Sequence, residues 1–279
     1  MNTSTQKAKA IQFRQMHTGT QPLVLPNAWD AASASVFFKA GFPAIATTSS
    51  GVAAAFGYSD GQHIHPDMMI EAIAHIARSV ACPVTADIEA GFGSSIAEVL
   101  QTIRAVITAG AVGINIEDST KQPENTLVDM AYQVELLKAI QALGASMDVP
   151  IVINARTDVF LLRSGDAARQ MQQAIQRLNV YREAGADSLF PIGVSDADTI
   201  AQLVQAVHGP INILASSSTP SIPALAQLGV ARVSFGSGPM RAALGRLQRI
   251  AQELLTQGTY TAMSEEAISG SAFRSLFPA

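Results

Sequence analysis

The chain has 279 residues, of which 48% are hydrophobic and only 14% charged, and its formal net charge is -4. Because the basic residues are scattered, we expect no nucleic acid or anionic membrane as a partner, and the ligand is expected to be a small molecule. One large α/β core accounts for this length, so we predict a single domain over 1–279. A lone cysteine, Cys82, excludes an intrachain disulfide and favours a reducing, cytoplasmic location.

Eight short apolar runs alternate with segments of helical periodicity, after a predicted N-terminal helix at about 2–16 and before a helical tail at about 258–279. The runs predict strands at 22–25, 43–47, 83–88, 112–116, 150–154, 187–191, 210–214 and 231–235. This alternation predicts a (β/α)8 TIM barrel. A doubly wound open sheet is the alternative, but no GxGxxG follows the first strand.

The junctions between these elements repeat a second pattern. Odd-numbered strands open with a proline and even-numbered strands follow a glycine that ends the preceding helix. These residues are Pro22, Pro83, Pro150 and Pro210, and Gly41, Gly110, Gly185 and Gly229. Glycine adopts the left-handed conformation that closes a helix, and proline favours an extended chain. The pattern therefore supports a βαβα unit that is repeated four times.

Acidic side chains fall where the third, fourth and fifth strands should end. They are Asp87 and Glu89, then Glu117 and Asp118, and then Asp158 beside Arg156. The ends of parallel barrel strands meet at one face, where converging carboxylates repel one another unless a cation compensates them. Oxygen ligands without nearby His or Cys indicate Mg²⁺ first and Mn²⁺ second, with positions left for a chelating 2-oxo acid. The alternative is that some of these acids cap helices or pair with Arg156, above all Asp118 and Asp158.

Three further features bear on the chemistry. Arg156 could bind a carboxylate or phosphonate with two parallel hydrogen bonds, or it could pair with a strand-end acid. No lysine falls at a strand end, so a Schiff-base aldolase is not expected. The loops 48–66 and 117–128 lie on the expected active face and are candidates for lids. In the first loop, His63 and His65 could reach the rim or cap a helix.

The chain from LPNAWDAASA to the last barrel helix resembles the isocitrate lyase/phosphoenolpyruvate mutase superfamily. The matching residues are Ser50, Gly51 and Asp60, the D-x-[DE]-x-G-[YF]-G motif at Asp87, Glu89, Gly91, Phe92 and Gly93, the Glu117–Asp118 pair, and Arg156. The resemblance implies a barrel whose eighth helix is exchanged between subunits, a dimer-of-dimers assembly, and Mg²⁺ chelated by a 2-oxo acid. It also implies that Ser50 and Gly51 hold the substrate carboxylate. Asp60, Asp87, Glu89 and Glu117 would form the metal shell, partly through water.

The chain departs from both branches of this superfamily. The lyase branch carries K-[KR]-C-G-H after strand four, but this loop reads STKQPENTLVD, so cleavage of isocitrate or methylisocitrate is not expected. The mutase branch has Asn followed by Ser or Thr at the spacing of Asn125 and Thr126, and with Lys121 these residues would complete the site from a closing loop. The mutase tryptophan before the S-G pair is replaced in TTSSG, and its strand-six histidine falls near Pro191. Both changes argue against phosphoryl transfer itself.

The sequence therefore predicts a Mg²⁺-dependent lyase or phosphonomutase-type enzyme that acts at C3 of a small 2-oxo acid through a metal-stabilised enolate. The expected products are pyruvate with phosphate, carbon dioxide or an aldehyde. An oxaloacetate decarboxylase is one specific alternative. A protein that binds metal and 2-oxo acid without turnover is another.

Overall fold

Parallel strands and α-helices alternate along the chain in a computed structural model that describes residues 3–120, 126–163 and 165–277. The strands are β1 (Leu23–Leu25), β2 (Asn27–Ala28), β3 (Ile45–Thr47), β4 (Val84–Asp87), β5 (Gly113–Glu117), β6 (Val152–Thr157), β7 (Ser188–Pro191), β8 (Asn212–Leu214) and β9 (Arg232–Ser234). The helices are α1 (Thr3–Gln15), α2 (Ala31–Lys39), α3 (Ser49–Ala55), α4 (Pro66–Ser79), α5 (Ile96–Thr108), α6 (Met130–Ser146), α7 (Val159–Leu162), α8 (Ala167–Glu183), α9 (Ala197–Ala206), α10 (Ile222–Gln227), α11 (Gly238–Thr256), α12 (Thr261–Ser264) and α13 (Gly270–Arg274).

The strands close into a ring. Strands β2 to β7 pair in sequence order, and β9 pairs with both β8 and β1. Pro26 separates β1 from β2 because it has no N–H to donate, so these two strands are halves of the first barrel strand. A parallel bridge between Leu189 and Ile211 joins β7 to β8, and the Leu189 N–H donates to the Pro210 carbonyl at 2.8 Å. The predicted (β/α)8 barrel is confirmed, and each predicted run overlaps an observed strand, with β5 and β6 extending past the predicted ends.

Glycines end helices α2, α5, α8 and α10 as the sequence pattern predicts. Gly41, Gly110, Gly185 and Gly229 have φ values of +95°, +106°, +104° and +85°. This is the left-handed region, in which a side chain would be strained. The helix ends that turn the chain into the even-numbered barrel strands are therefore fixed by residue type.

Helix α1 closes the N-terminal end of the barrel. Phe13 is fully buried, and a Cβ at position 113 would lie 2.8 Å from its ring, so the barrel needs Gly113 there. The His17 ring packs edge-on against Phe13, and its Nδ1 lies 2.9 Å from the Phe13 carbonyl oxygen. Burial, helped by the nearby charge of Arg232, lowers the pKa of His17 to about 3. His17 is therefore a neutral part of the barrel floor.

Helix α11 follows the last barrel strand and buries little of its apolar surface within the chain. Of its side chains only Met240 is buried, whereas Leu247 is 59% and Leu255 86% exposed. This exposed apolar face is compatible with the predicted exchange of the eighth helix, which stays a prediction, as does the single-domain organisation. Helices α12 and α13 lie within the predicted C-terminal tail. In the described ranges, no helix is both long enough and apolar enough to cross a membrane.

Candidate active site

A cavity of about 240 Å³ opens at the C-terminal face of the barrel. Four of the predicted site residues line it, and they are Ser50, Asp60, Asp87 and Arg156. Its lining also includes Asn154, Asn212 and Arg232, which lie on the inner faces of β6, β8 and β9. The cavity therefore extends from the loops into the barrel, at the face where TIM barrels carry their chemistry.

Asp87 is the last residue of β4, and three hydrogen bonds fix its carboxylate. Oδ2 accepts from the Ser49 N–H at 3.0 Å and from the Ser49 hydroxyl at 2.7 Å. Oδ1 accepts from Asn115 Nδ2 at 2.9 Å, and Asn154 Nδ2 in turn donates to Asn115 Oδ1 at 2.8 Å. Ser49, Asn115 and Asn154 were not among the site residues predicted from the sequence. A signal was present, because each asparagine stands two residues before a predicted site residue and so shares its face of the strand.

Glu89 does not continue the strand that carries Asp87. The predicted strand extends to residue 88, but β4 ends at Asp87, and Glu89 has a left-handed φ of +52°. The alternation of side chains along a strand therefore does not relate the Asp87 and Glu89 carboxylates, and the expectation that both stand at the end of the strand is wrong for Glu89. Glu89 is buried, its Oε1 accepts from the Gln62 N–H at 3.1 Å, and its carbonyl accepts from the Glu117 N–H at 3.0 Å. These bonds hold the turn against the end of β5.

Arg156 lies between two carboxylates at the ends of β5 and β6. Its Nη1 is 2.6 Å from Glu117 Oε2, and its Nε and Nη2 donate to the two oxygens of Asp158 at 2.6 and 3.1 Å. Burial acts to lower the pKa of Arg156, but the charges of Glu117 and Asp158 raise it above its ordinary value. The guanidinium thus stays charged and immobile. The alternative expectation that Arg156 pairs with a strand-end acid is confirmed.

Asp118 belongs to a separate, buried hydrogen-bonded cluster. Its carboxylate accepts from the Thr157 and Tyr181 hydroxyls, both at 2.7 Å, from Arg177 Nη1 at 3.1 Å and from the Asp158 N–H at 2.9 Å. Burial raises the pKa of Asp118, although these donors and Arg177 oppose the shift. Asp118 does not line the cavity. Its role is therefore structural, but it pairs with Arg177 and not with Arg156, as the alternative in the sequence analysis had it.

Ser50 and Gly51 lie in the first turn of α3. The Gly51 N–H donates to the hydroxyl of Thr48, the N-cap residue, at 3.3 Å. A Cβ at position 51 would lie 2.5 Å from Thr48 Cγ2 and 3.1 Å from Trp29 Cβ, so packing alone requires glycine. Ser50 lines the cavity, and Asp60 is an exposed residue at its mouth.

The loop after β5 is described only at its base. The Thr126 N–H donates to the Thr120 hydroxyl at 3.1 Å, and the Thr120 N–H donates to the Thr126 carbonyl at 2.7 Å. Thr126 therefore joins the two ends of the loop and does not line the cavity. Lys121 and Asn125 lie outside the described residues. In the other loop, His65 caps α4 by accepting from the Asp67 N–H at 3.3 Å, whereas His63 lines a neighbouring groove that Glu117 also borders.

The donor set suits a hard cation that keeps part of its water shell. Among the residues that the structure describes, no three side chains of His, Cys, Asp or Glu are close enough to hold a metal ion by themselves. Mg²⁺ usually binds through one or two carboxylates, waters and ligand oxygens, so a compact cluster of three carboxylates is not required. The carboxylates of Asp87, Glu89, Glu117 and Asp158 lie at this end of the barrel, and Arg156 binds two of them. Such oxygen donors fit a divalent cation.

A closed eight-stranded α/β barrel, with carboxylates and arginines around a cavity at its C-terminal face, is the architecture of a TIM-barrel enzyme. The family model for phosphoenolpyruvate phosphomutase matches residues 13–255. The chain belongs to the phosphoenolpyruvate phosphomutase family, and the superfamily resemblance found in the sequence is confirmed.

Proteins similar to this chain include enzymes named as lyases, mutases and hydrolases. A proposed lyase/mutase from Burkholderia cenocepacia J2315 has a crystal structure that matches with a TM-score of 0.90, 37% identity, and coverage of 99% of this chain and 98% of that one. The 2-methylisocitrate lyase of Escherichia coli (strain K12) is 33% identical over 75% of this chain and 71% of its own length. A phosphonopyruvate hydrolase in complex with oxalate and Mg²⁺ matches with a TM-score of 0.84 and 25% identity, covering 96% of this chain and 94% of that one.

Proposed function

We propose that this protein is a Mg²⁺-dependent enzyme that cleaves or rearranges the bond at C3 of a small 2-oxo acid through an enolate. The observation that carries the proposal is the fixed Asp87 carboxylate in the cavity, beside the Arg156 guanidinium with its two carboxylate partners. Support comes from the phosphonopyruvate hydrolase that binds oxalate and Mg²⁺. Oxalate has the two adjacent oxygen-bearing carbons of a pyruvate enolate.

Each predicted site residue has a role in this proposal. Asp60, Asp87, Glu89 and Glu117 hold the cation, partly through water, and the bound cation supplies positive charge that stabilises an enolate. Ser49 and Asn115 keep the Asp87 carboxylate in one orientation. Arg156 holds Glu117 in place and offers positive charge to a substrate carboxylate or phosphonate. Ser50 and Gly51 bind the carboxylate next to the 2-oxo group, and Lys121, Asn125 and Thr126 belong to the loop that closes over it.

The loop after β5 limits the kind of bond that can be broken. Residues 118–128 contain no Cys or His, so this loop offers no such group to protonate a bulky succinate-like leaving group. Cleavage then favours fragments that depart with little help from an acid, such as carbon dioxide or a phosphoryl group. Oxaloacetate decarboxylation and carbon–phosphorus cleavage of phosphonopyruvate are therefore the favoured reactions.

The first prediction is a pattern of substrates. Purified protein with Mg²⁺ should release pyruvate or enolpyruvate from oxaloacetate or phosphonopyruvate in a screen that also contains 2-alkylmalates. Isocitrate and 2-methylisocitrate should react at least about a hundredfold more slowly. Their succinate leaving group needs a general acid, whose contribution is about this large, and the loop has no Cys or His to act as one. Coupled assays of pyruvate, glyoxylate and phosphate release measure all three outcomes. Efficient glyoxylate release from isocitrate would contradict this assignment.

A second candidate function is metal-dependent binding of a 2-oxo acid without turnover. The absence of Cys and His between residues 118 and 128 favours it, since the lyase branch uses this loop for acid–base chemistry. Micromolar oxalate binding together with no turnover in the whole screen would move this candidate ahead.

We also propose a cytoplasmic location and a dimer of dimers in which α11 is exchanged between subunits. The exposed apolar face of α11 supports the exchange.

A further inference from the structure

Arg232 is a buried cation on the inner face of β9. It is 2% exposed, and it lines the same cavity as Asp87. Arg14, Arg156 and Arg177 each form an ion pair with a carboxylate, but within the described ranges no carboxylate lies at ion-pair distance from Arg232. A buried charge without a counter-charge is unfavourable by several kcal/mol in general, so such residues are rare. Arg232 therefore calls for a specific explanation.

The contacts of Arg232 lie on the side of the barrel floor. Its guanidinium carbon is 6.0 Å from the centre of the Phe13 ring, and Nη1 is 3.5 Å from Nε2 of the neutral His17. The Nε atom is buried without a hydrogen-bond partner among the described residues. Burial lowers the pKa of Arg232 to about 9, while the charge of Asp87 raises it. Arg232 thus carries its positive charge at neutral pH. Its Nε–H group can still donate a hydrogen bond to a ligand, because His17 and Phe13 do not accept from it.

In the described residues, other barrel strands also carry buried polar atoms without a hydrogen-bond partner. Besides Arg232 Nε, these atoms include Thr85 Oγ1 on β4, Asn154 Oδ1 on β6, Ser188 Oγ on β7 and Asn212 Oδ1 on β8. Thr85, Asn154 and Asn212 line the cavity together with Arg232. The hydroxyls can donate to an anion, and the amide oxygens of Asn154 and Asn212 can accept from a water molecule or hydroxyl that accompanies it. An interior with so many unpaired polar atoms is built for a polar occupant.

Within the described residues, no carboxylate of the cavity touches Arg232. The Asp87 carboxylate acts on Arg232 only from a distance and is hydrogen-bonded to Ser49 and Asn115, while Glu117 and Asp158 pair with Arg156. We infer that Arg232 binds a second anionic group, a carboxylate or a phosphonate, at the end of the substrate remote from its 2-oxo acid head. This inference rests on the proposed function and narrows its substrate class to 2-oxo acids with two negatively charged ends. Of the two favoured substrates, phosphonopyruvate suits this contact better, because a guanidinium-bound carboxylate is stabilised against loss as carbon dioxide.

The test compares acids that share the 2-oxo acid head and differ in the charge of the tail. Competition against oxalate in the presence of Mg²⁺ should show that wild type binds oxaloacetate, 2-oxoglutarate or phosphonopyruvate at least about tenfold more tightly than 2-oxobutyrate, whose tail is neutral. Arg232→Met should abolish this preference and leave oxalate binding within about threefold of wild type, whereas Arg232→Lys should keep part of it. Comparing the affinity of oxaloacetate and 2-oxoglutarate with that of phosphonopyruvate shows whether Arg232 prefers a carboxylate or a phosphonate.

Two results would overturn the inference: equal binding of neutral and charged tails by wild type, or the same preference in wild type and Arg232→Met. In either case Arg232 does not bind the remote end of the substrate. The wild-type comparison stands even where Arg232→Met fails to fold. A second experiment without metal tests Arg232 independently of the proposed Mg²⁺ site. Inorganic phosphate should raise the melting temperature of wild type more than that of Arg232→Lys or Arg232→Met. Failure of oxalate to bind wild type would contradict the proposed function, and an equal phosphate effect in all three proteins would contradict the role of Arg232.

Discussion

Replacing Asp87 by alanine should abolish Mg²⁺-dependent turnover and weaken Mg²⁺ binding at least about tenfold. The Asp87 carboxylate lines the cavity, and three hydrogen bonds from Ser49 and Asn115 hold it in one orientation. A carboxylate fixed in this way binds a cation without an added cost of ordering the side chain. Alanine removes both the charge and the ligand oxygens. Isothermal titration with Mg²⁺ and a turnover assay measure the two effects.

Asp148→Asn is the matched control for this variant. Asp148 is an exposed acid that pairs with Lys7 and precedes β6, at the opposite end of the barrel. Its φ of +56° is a conformation that asparagine tolerates, so the replacement removes one negative charge without backbone strain. Mg²⁺ binding and turnover should stay at the wild-type level. An unchanged Mg²⁺ titration in Asp87→Ala would refute the assignment of Asp87 as a metal ligand.

Replacing Asp118 by alanine should lower the free energy of unfolding by about 3–5 kcal/mol, because it leaves the buried guanidinium of Arg177 without its carboxylate partner. The Thr157 and Tyr181 hydroxyls lose their acceptor in the same step. This loss is a large fraction of the stability of an ordinary domain. Urea unfolding followed by circular dichroism measures it.

Tyr181→Phe provides the comparison for the Asp118 variant. It removes two hydrogen bonds from the same cluster, one donated to Asp118 and one accepted from Arg177, and leaves the Asp118–Arg177 ion pair in place, so we expect a smaller loss of about 2 kcal/mol. Mg²⁺ affinity of the folded fraction should be unchanged in both variants, since Asp118 does not line the cavity. Equal unfolding midpoints for wild type and Asp118→Ala would show that the cluster is not a stabilising feature.

The barrel could be predicted from the sequence because its signals are local. Apolar runs mark each strand, and glycines such as Gly41 and Gly110 stand where the chain must adopt a positive φ. The split of the first strand at Pro26 follows from the chemistry of proline, although the pattern of apolar residues did not reveal it. Helix α11 buries little of its apolar surface within the described chain. Its exposed leucines therefore fit a helical pattern without showing what covers them.

The site was predictable in its residue types but not in its geometry. Carboxylates at strand ends pointed to the right face of the barrel, and Asp87 and Arg156 do line the cavity there. The turn at Glu89 could not be foreseen, because its left-handed φ is a tertiary feature at a residue that ordinarily avoids it. Arg232 was missed because a single arginine in an apolar strand carries no motif. Only the closed barrel shows that its side chain points inward.

The decisive test of a metal-dependent 2-oxo acid site is whether oxalate binding to the wild-type protein requires Mg²⁺. Isothermal titration with oxalate is carried out in the presence of Mg²⁺ and again after a chelator has removed the metal. We predict micromolar binding with Mg²⁺ and binding at least about a hundredfold weaker without it, because the surrounding carboxylates repel an anion that no cation bridges. Oxalate binding of equal strength under both conditions would contradict a metal-dependent 2-oxo acid site.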